Sequence, residues 1–268
     1  MTTYNRREFV KNSVFSASFI GLSACVSNHT QAQSSGSNGS SSLTAEGYGP
    51  LQSDPQGRMR LPKGFSYKVF SQTGETMNDG FIVPGAHDGM DAFPGPNGLT
   101  LLVRNHEMSP LDFSDNPLSK SSAWKSLDAS ELYDAGKFGT QLHGGTTTLV
   151  FDTQTQELKR HYLSLAGTIR NCSGGSTPWG SWITCEETTA RADENLHKDH
   201  GYNFEVPANY EMGLAEPFAL KEMGRFNHEA VAVDPASGVV YQTEDRPDGL
   251  IYRYIPCLLY TSPSPRDS

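Results

Sequence analysis

Apolar and polar positions alternate along several short stretches of the chain, and each stretch ends at residues that favour turns. The clearest one covers residues 144–152, which are followed by a polar turn and a second alternating stretch at 158–163. The same design returns at residues 229–241, where β-branched residues alternate up to Asp234 and a second strand follows the turn. A period of two places successive side chains on opposite faces of a strand, so both segments predict antiparallel hairpins.

Shorter stretches predict further strands at residues 99–103, 182–185 and 250–255, and residues 61–70 predict a turn that continues as an alternating strand. Between them, residues 121–133 predict one short helix, with Asp and Ser as caps, inside a polar surface insertion. The predominance of short strands and turns predicts an all-β fold.

The two hairpins also suggest how the strands are arranged. Their turn residues Asp152 and Asp234 lie about 80 residues apart, which is close to two repeats of the 40–50 residues typical of a propeller blade. We therefore predict a β-propeller of which the chain holds only part, with a β-sandwich as the alternative.

Composition agrees with this class and narrows the choice of partners. The 268 residues suffice for one large domain, and 26 glycines, 16 prolines and only 19% charged residues favour short strands joined by turns. The formal net charge of −9 disfavours nucleic acid and anionic membrane surfaces as partners. An excess of carboxylates also suits hard cations such as calcium.

The N-terminal segment predicts export. Arg6 and Arg7, followed by an aromatic residue, a lysine and a short apolar run, resemble a twin-arginine signal, so we assign residues 1–32 to a signal peptide and expect the twin-arginine translocase as a partner. Cys25 lies at the end of a stretch that resembles a lipobox, and cleavage after Ala32 is the alternative. The Ser/Gly-rich residues 33–48 predict a flexible linker. We expect a periplasmic or extracellular monomer, held to a membrane only through the signal or a lipid anchor.

The other end of the chain carries a different signature. Residues 257–268 resemble a translated sequencing-library adapter, so we expect the native sequence to depart from this one near Pro256. Residues 49–256 then form a partial propeller domain.

The densest chemistry lies in residues 171–187, which hold two cysteines, two tryptophans, a Gly-Gly pair and two adjacent carboxylates. A disulfide between Cys172 and Cys185 is one interpretation, since exported proteins commonly form disulfides. The other is a metal site, because a thiolate beside carboxylates can hold ions that accept both soft and hard ligands. The residues alone leave both open.

Acidic residues stand at the ends of other predicted strands as well. In a propeller such strand ends can converge on the central channel, where crowded carboxylates repel each other unless a cation binds or protons are taken up. The candidate metal ligands are Glu107, Cys172, Glu186, Glu187, Glu229, Glu244 and Asp245, and the nearest cations are Arg170 and Arg246.

Taken together, the stretches at 171–187 and 224–229 resemble the PhoX-type alkaline phosphatases, which are exported β-propellers with an iron and calcium cluster that hydrolyse phosphate monoesters. The resemblance covers roughly residues 61–256. It implies that Cys172 is an iron ligand, that Glu229 is a cluster ligand and that one of Glu186 and Glu187 also binds metal. For Glu107, Glu244 and Asp245 the implication is weaker.

The sequence departs from the family in one respect. Family members have a downstream Arg-Pro-Glu run that supplies a phosphate-binding arginine and a metal ligand, and this sequence lacks such a run. We therefore expect the chain as it stands to be inactive, and offer Arg170 and Arg246 as the cations that would contact phosphate. The alternatives are a non-catalytic calcium-stabilised propeller that acts as a binding module, and a related esterase or lactonase.

Overall fold

The computed structural model describes residues 44–45, 47–110, 122–138 and 140–256, and the chain divides into two compact units at Tyr67/Lys68. The predicted signal segment with Cys25 and the C-terminal residues 257–268 lie outside the described residues, so the predictions made for them stay predictions. Within the part that is described, no helix has the length and apolar character needed to cross a membrane.

The first unit holds one small antiparallel sheet. Its strands are β1 (Thr44–Ala45), β2 (Gly49–Gln52) and β3 (Leu61–Pro62), paired in that order. The turn predicted at the start of residues 61–70 is present after Pro62, with the Phe65 amide donating to the Pro62 carbonyl and Gly64 at φ +90°, a conformation that favours glycine. The strand predicted after this turn was wrong, because β3 precedes the turn and residues 65–70 form no strand.

The described residues of the second unit form three antiparallel sheets. The largest has the order β4-β5-β6-β7, with β4 at His87–Pro94, β5 at Thr100–His106, β6 at Gly144–Asp152 and β7 at Glu157–Thr168. The second pairs β8 (Asn171–Ser176) with β9 (Ser181–Glu186) and β9 with β10 (Asn203–Pro207). The third has the order β11 (His228–Val233), β12 (Val240–Glu244) and β13 (Ile251–Tyr254).

This architecture confirms the predicted all-β class and both hairpins. Sheets of three and four antiparallel strands are what propeller blades contain, and the propeller itself stays a prediction. The strands predicted at 99–103, 182–185 and 250–255 are present as β5, β9 and β13.

The predicted helix at 121–133 is replaced, in its described part, by two single 3₁₀ turns at Trp124–Ser126 and Ala129–Glu131. The reason lies at Asp128, which is extended and forms a capping box with Glu131. Such a cap starts a new turn and thereby prevents the first from continuing through it.

Two apolar clusters hold these sheets together. One runs from the four-stranded sheet to β9 and β10 and includes Val103, Leu165 and Phe204, all of them fully buried. The other lies between the β8–β9 hairpin and the third sheet, where Cys172 and Cys185 pack with Ile183, Val231 and Val240. The second cluster therefore fixes the hairpin that carries both cysteines against the sheet that carries Glu229.

Candidate metal centre

The β8–β9 hairpin positions Cys172 through an irregularity in its ladder. Asn171 pairs with Glu186 and Gly174 with Thr184, and the register shifts between these two pairs, so Cys172 lies in a β-bulge. At Gly175 a side chain would overlap the backbone carbonyl of Val231, so glycine is what lets β8 lie directly against β11.

Three potential ligand atoms converge beside this bulge. The Cys172 sulfur and one carboxylate oxygen each from Glu187 and Glu229 lie within 4.8 Å of one another. Glu187 directly follows β9 and forms an isolated bridge with Asn227, while Glu229 is the second residue of β11. Residues from three separate segments thus meet at one point, which we call the Cys172 group.

The Cys172 thiol is buried and donates to backbone carbonyls, at 3.3 Å from the oxygen of His228 and 3.6 Å from that of Cys185. Burial raises the pKa of the Cys172 thiol well above its ordinary value, and the neighbouring Glu229 charge raises it further. Both Cys172 and Cys185 are free thiols, so the structure does not contain the disulfide that the sequence left open.

Arg170 lies in the turn that leads from β7 into β8. Its Nη2 donates to Glu107 at 2.7 Å and also to the Glu187 carboxylate, and its Nε donates to the Glu187 carbonyl at 3.0 Å. Arg170 has a positive φ of 50°, an uncommon conformation for a residue other than glycine. Two backbone hydrogen bonds hold this turn. The Arg170 amide donates to the Met108 carbonyl, and the Glu187 amide donates to the Arg170 carbonyl. Arg170 is therefore the counter-ion of the Cys172 group.

Two acidic side chains, Glu229 in the Cys172 group and Glu107 beside it, have raised pKa values. Burial raises the pKa of Glu107 to about 7, against the lowering effect of Arg170 and with Glu187 and Asp88 adding to the rise. Burial also raises the pKa of Glu229; the Cys172 thiol opposes that rise, and the charge of Asp245 adds to it. These carboxylates keep their protons more tightly than usual because burial penalises the charged form, and the neighbouring negative charges add to this effect.

The adjacent pair Glu186 and Glu187 is divided between two environments. Glu186 is completely buried, and its two oxygens accept hydrogen bonds from the amides of Ile169, Gly201 and Tyr202 and from the His200 ring. A carboxylate has about four acceptor sites, and these contacts use all of them. Of the two, only Glu187 joins the Cys172 group.

The remaining predicted residues lie at different distances from this group. Glu244 accepts from the Tyr252 hydroxyl at 2.9 Å and from the Leu250 amide at 3.3 Å, so its carboxylate already has partners within its own sheet. Asp245 is exposed but close enough to affect Glu229. Arg246 is exposed in the turn after β12, and no contact recorded among the described residues joins its guanidinium to the Cys172 group.

Two residues near the group were not singled out from the sequence. Asp88 adjoins Glu107 because β4 bulges between His87 and Met90, with Gly89 so near Ser173 that an added side chain would lie 2.8 Å from its Cα. Asn105 is completely buried and uses its amide to hold the Cys172 and Ser173 carbonyls at 3.2 and 2.7 Å. No short-range sequence signal marks Asp88, whereas a polar residue inside the apolar strand β5 marks Asn105.

The donor set at the Cys172 group fits a metal ion. One sulfur and two carboxylates provide soft and hard ligands together. Burial first, and neighbouring negative charge second, raise the pKa of both Cys172 and Glu229, an imbalance that favours their neutral forms. A bound cation would reverse that imbalance and deprotonate the thiol.

Comparison with known proteins identifies a family to which the chain is similar. The family model described as alkaline phosphatase PhoX matches residues 46–264. Neither a curated protein nor a solved structure matches the chain. The family match covers residues 68–264 of the second unit and includes every residue of the Cys172 group.

Proposed function

The chain belongs to the alkaline phosphatase PhoX family, and from this premise we propose that it hydrolyses phosphate monoesters at the Cys172 group. The observation that carries the proposal is the convergence of Cys172, Glu187 and Glu229 within 4.8 Å beside Arg170. Phosphoryl transfer requires neutralisation of charge on the phosphoryl oxygens, and a cluster of metal ligands with an adjacent arginine is suited to provide it.

We propose iron and calcium as the cofactors. The Cys172 sulfur suits iron, and the surrounding carboxylates of Glu187, Glu229, Glu107 and Asp245 suit calcium. When bound, such ions would bind the phosphoryl oxygens and lower the pKa of a coordinated water. Glu186 is left out of this proposed ligand set because its oxygens are occupied by hydrogen bonds, and Glu244 because it has partners in its own sheet.

The protein's own side chains would position the metal ligands and contact the phosphate. Arg170 holds Glu107 and Glu187 in place through Nε and Nη2, and its half-exposed side chain keeps Nη1 available as a donor for a phosphoryl oxygen. Asn105 donates to the backbone carbonyls of Cys172 and Ser173 and so holds the thiol where the carboxylates meet. Arg246 is a candidate for contact with phosphate only on the basis of its charge.

We also propose that the protein works outside the cytoplasm, in the periplasm or at the cell surface, as the twin-arginine resemblance of its first residues implies. The translocase would then carry the folded, metal-loaded protein.

The metal content of the purified chain is the first test. Iron bound together with calcium is expected, with iron lost in Cys172→Ala and kept in the matched control Cys185→Ala, a buried thiol of the same apolar cluster. Calcium alone, or no metal, would favour a binding module over an enzyme.

Hydrolysis is tested on protein produced from the reading frame resequenced beyond codon 256. Release of p-nitrophenol from p-nitrophenyl phosphate should stop after chelation and in Cys172→Ala. Activity that persists under both conditions would refute the proposed mechanism.

A further inference from the structure

Behind the Cys172 group lies a second cluster of ionisable side chains, and it is fully buried. The side chains of Asp134, Glu186 and His200 have no exposed surface. The His200 Nδ1 lies 2.7 Å from a Glu186 oxygen, and its Nε2 lies 3.5 Å from an Asp134 oxygen. Buried ion pairs contribute little net stability compared with apolar residues of the same size, so stability alone does not explain this cluster.

Glu186 joins the two segments that carry the candidate centre. One of its oxygens accepts from the Ile169 amide at 2.9 Å, and Ile169 directly precedes Arg170. Glu186 itself directly precedes Glu187. The same carboxylate therefore fixes the backbone next to both partners of the Arg170–Glu187 pair.

His200 and Asp134 hold Glu186 from the other side. The Glu186 carboxylate also accepts from the Gly201 amide at 2.7 Å, and a side chain at Gly201 would overlap the Thr188 carbonyl, so the loop approaches closely only with glycine there. Asp134 accepts from the amides of Gly136 at 2.7 Å and Lys198 at 2.8 Å. Its own amide donates to the Gly167 carbonyl at the end of β7. The cluster thus reaches from the end of β7 to the loop after β9.

We propose that Asp134, His200 and Glu186 form a positioning triad that sets the geometry of Arg170 and Glu187 without touching metal or substrate. This inference rests on the proposed function of the Cys172 group. Supporting residues of this kind hold a ligand's backbone and orientation, and their replacement commonly weakens metal binding by about 10–100-fold.

The test measures cobalt(II) binding to the purified chain by the sulfur-to-cobalt absorption band, which reports coordination by Cys172. We compare His200→Gln with His161→Gln. His161 is likewise buried and bonded through its ring, to Ser71 at 3.0 Å, but it lies on β7 away from the centre. Circular dichroism establishes that both variants are folded at the temperature of the titration.

If the triad positions the centre, His200→Gln weakens cobalt binding about tenfold or more and reduces the sulfur-to-cobalt band, while His161→Gln changes the affinity less than about threefold. Equal affinities in the two variants would overturn the inference and leave the proposed function standing. A wild-type chain that binds no cobalt would overturn both. If His200→Gln does not fold, Asp134→Asn takes its place, because it keeps the side-chain size and removes the charge facing His200, and it is judged by the same threshold.

Discussion

Replacement of Asn105, which lies in β5, tests how the four-stranded sheet supports the candidate metal centre. Its side-chain amide donates to the carbonyls of Cys172 and Ser173, and its oxygen accepts from Trp182 Nε1 at 2.9 Å and from the Thr184 hydroxyl at 2.8 Å. All of these groups lie in the interior around β8 and β9. The substitution Asn105→Leu keeps the branched shape of the side chain, although leucine is larger, and it removes all four hydrogen bonds.

The expected loss follows from the partners left behind. A buried polar group without a partner costs about 1–3 kcal/mol, so four bonds lost at once should lower the free energy of unfolding by ~4 kcal/mol or more, even after the added burial of leucine. For a unit of this size 1 kcal/mol corresponds to about 2–4 °C in Tm, so a decrease of roughly 10 °C is expected.

Thermal and urea denaturation of the purified chain measure this loss. Asn195→Leu, at an exposed position, is the control and should change the free energy of unfolding by less than about 0.5 kcal/mol. Asn105→Asp keeps the two acceptor contacts but turns a buried carboxylate oxygen toward the carbonyls of Cys172 and Ser173, so it should lower the free energy of unfolding at least as much as Asn105→Leu. A loss below about 1 kcal/mol in Asn105→Leu would refute the reasoning.

Three further predictions concern packing, pH and metal. Gly175→Ala should lower the free energy of unfolding by ~2 kcal/mol or more, because the new side chain would overlap the Val231 carbonyl; Gly213→Ala, with open space around it, serves as the control in the same denaturation assay. Burial lowers the pKa of His200, but its carboxylate partners outweigh this and raise the pKa from 6.5 to about 9. Protonated His200 therefore stabilises the folded state by roughly 3 kcal/mol, a contribution that is complete below pH 6.5 and is lost as the pH rises through about 9. Urea denaturation at pH 6 and pH 10 should show this loss in the wild type and not in His200→Gln. Adding calcium at about 100 times its Kd should raise the free energy of unfolding by about 2.7 kcal/mol, and Glu229→Gln should remove most of this gain; an equal gain in both proteins would place the ion elsewhere.

The sequence was sufficient for the class of fold and for the family. Period-two alternation is a local property, and it located the hairpins that begin with the strands Gly144–Asp152 and His228–Val233, although the first of these strands is buried on both faces as far as Val150. It failed after the turn at Gly64, where residues 65–70 form no strand, and at 121–133, where the cap at Asp128 divides the predicted helix. At 121–133 local turn chemistry overrode the pattern.

For the candidate centre, the sequence supplied the residue types and the tertiary structure decided which of them meet. Glu186 and Glu187 are neighbours in the chain, yet a strand sends successive side chains to opposite sides, so one enters a buried ion cluster and the other joins Cys172. Whether Cys172 pairs with Cys185 was also open until the bulge in β8 and the packing of β11 left both thiols free. Asp88 joins the acidic surroundings through a bulge in a different sheet. Contacts of this kind depend on register and packing between distant segments, which no local pattern encodes.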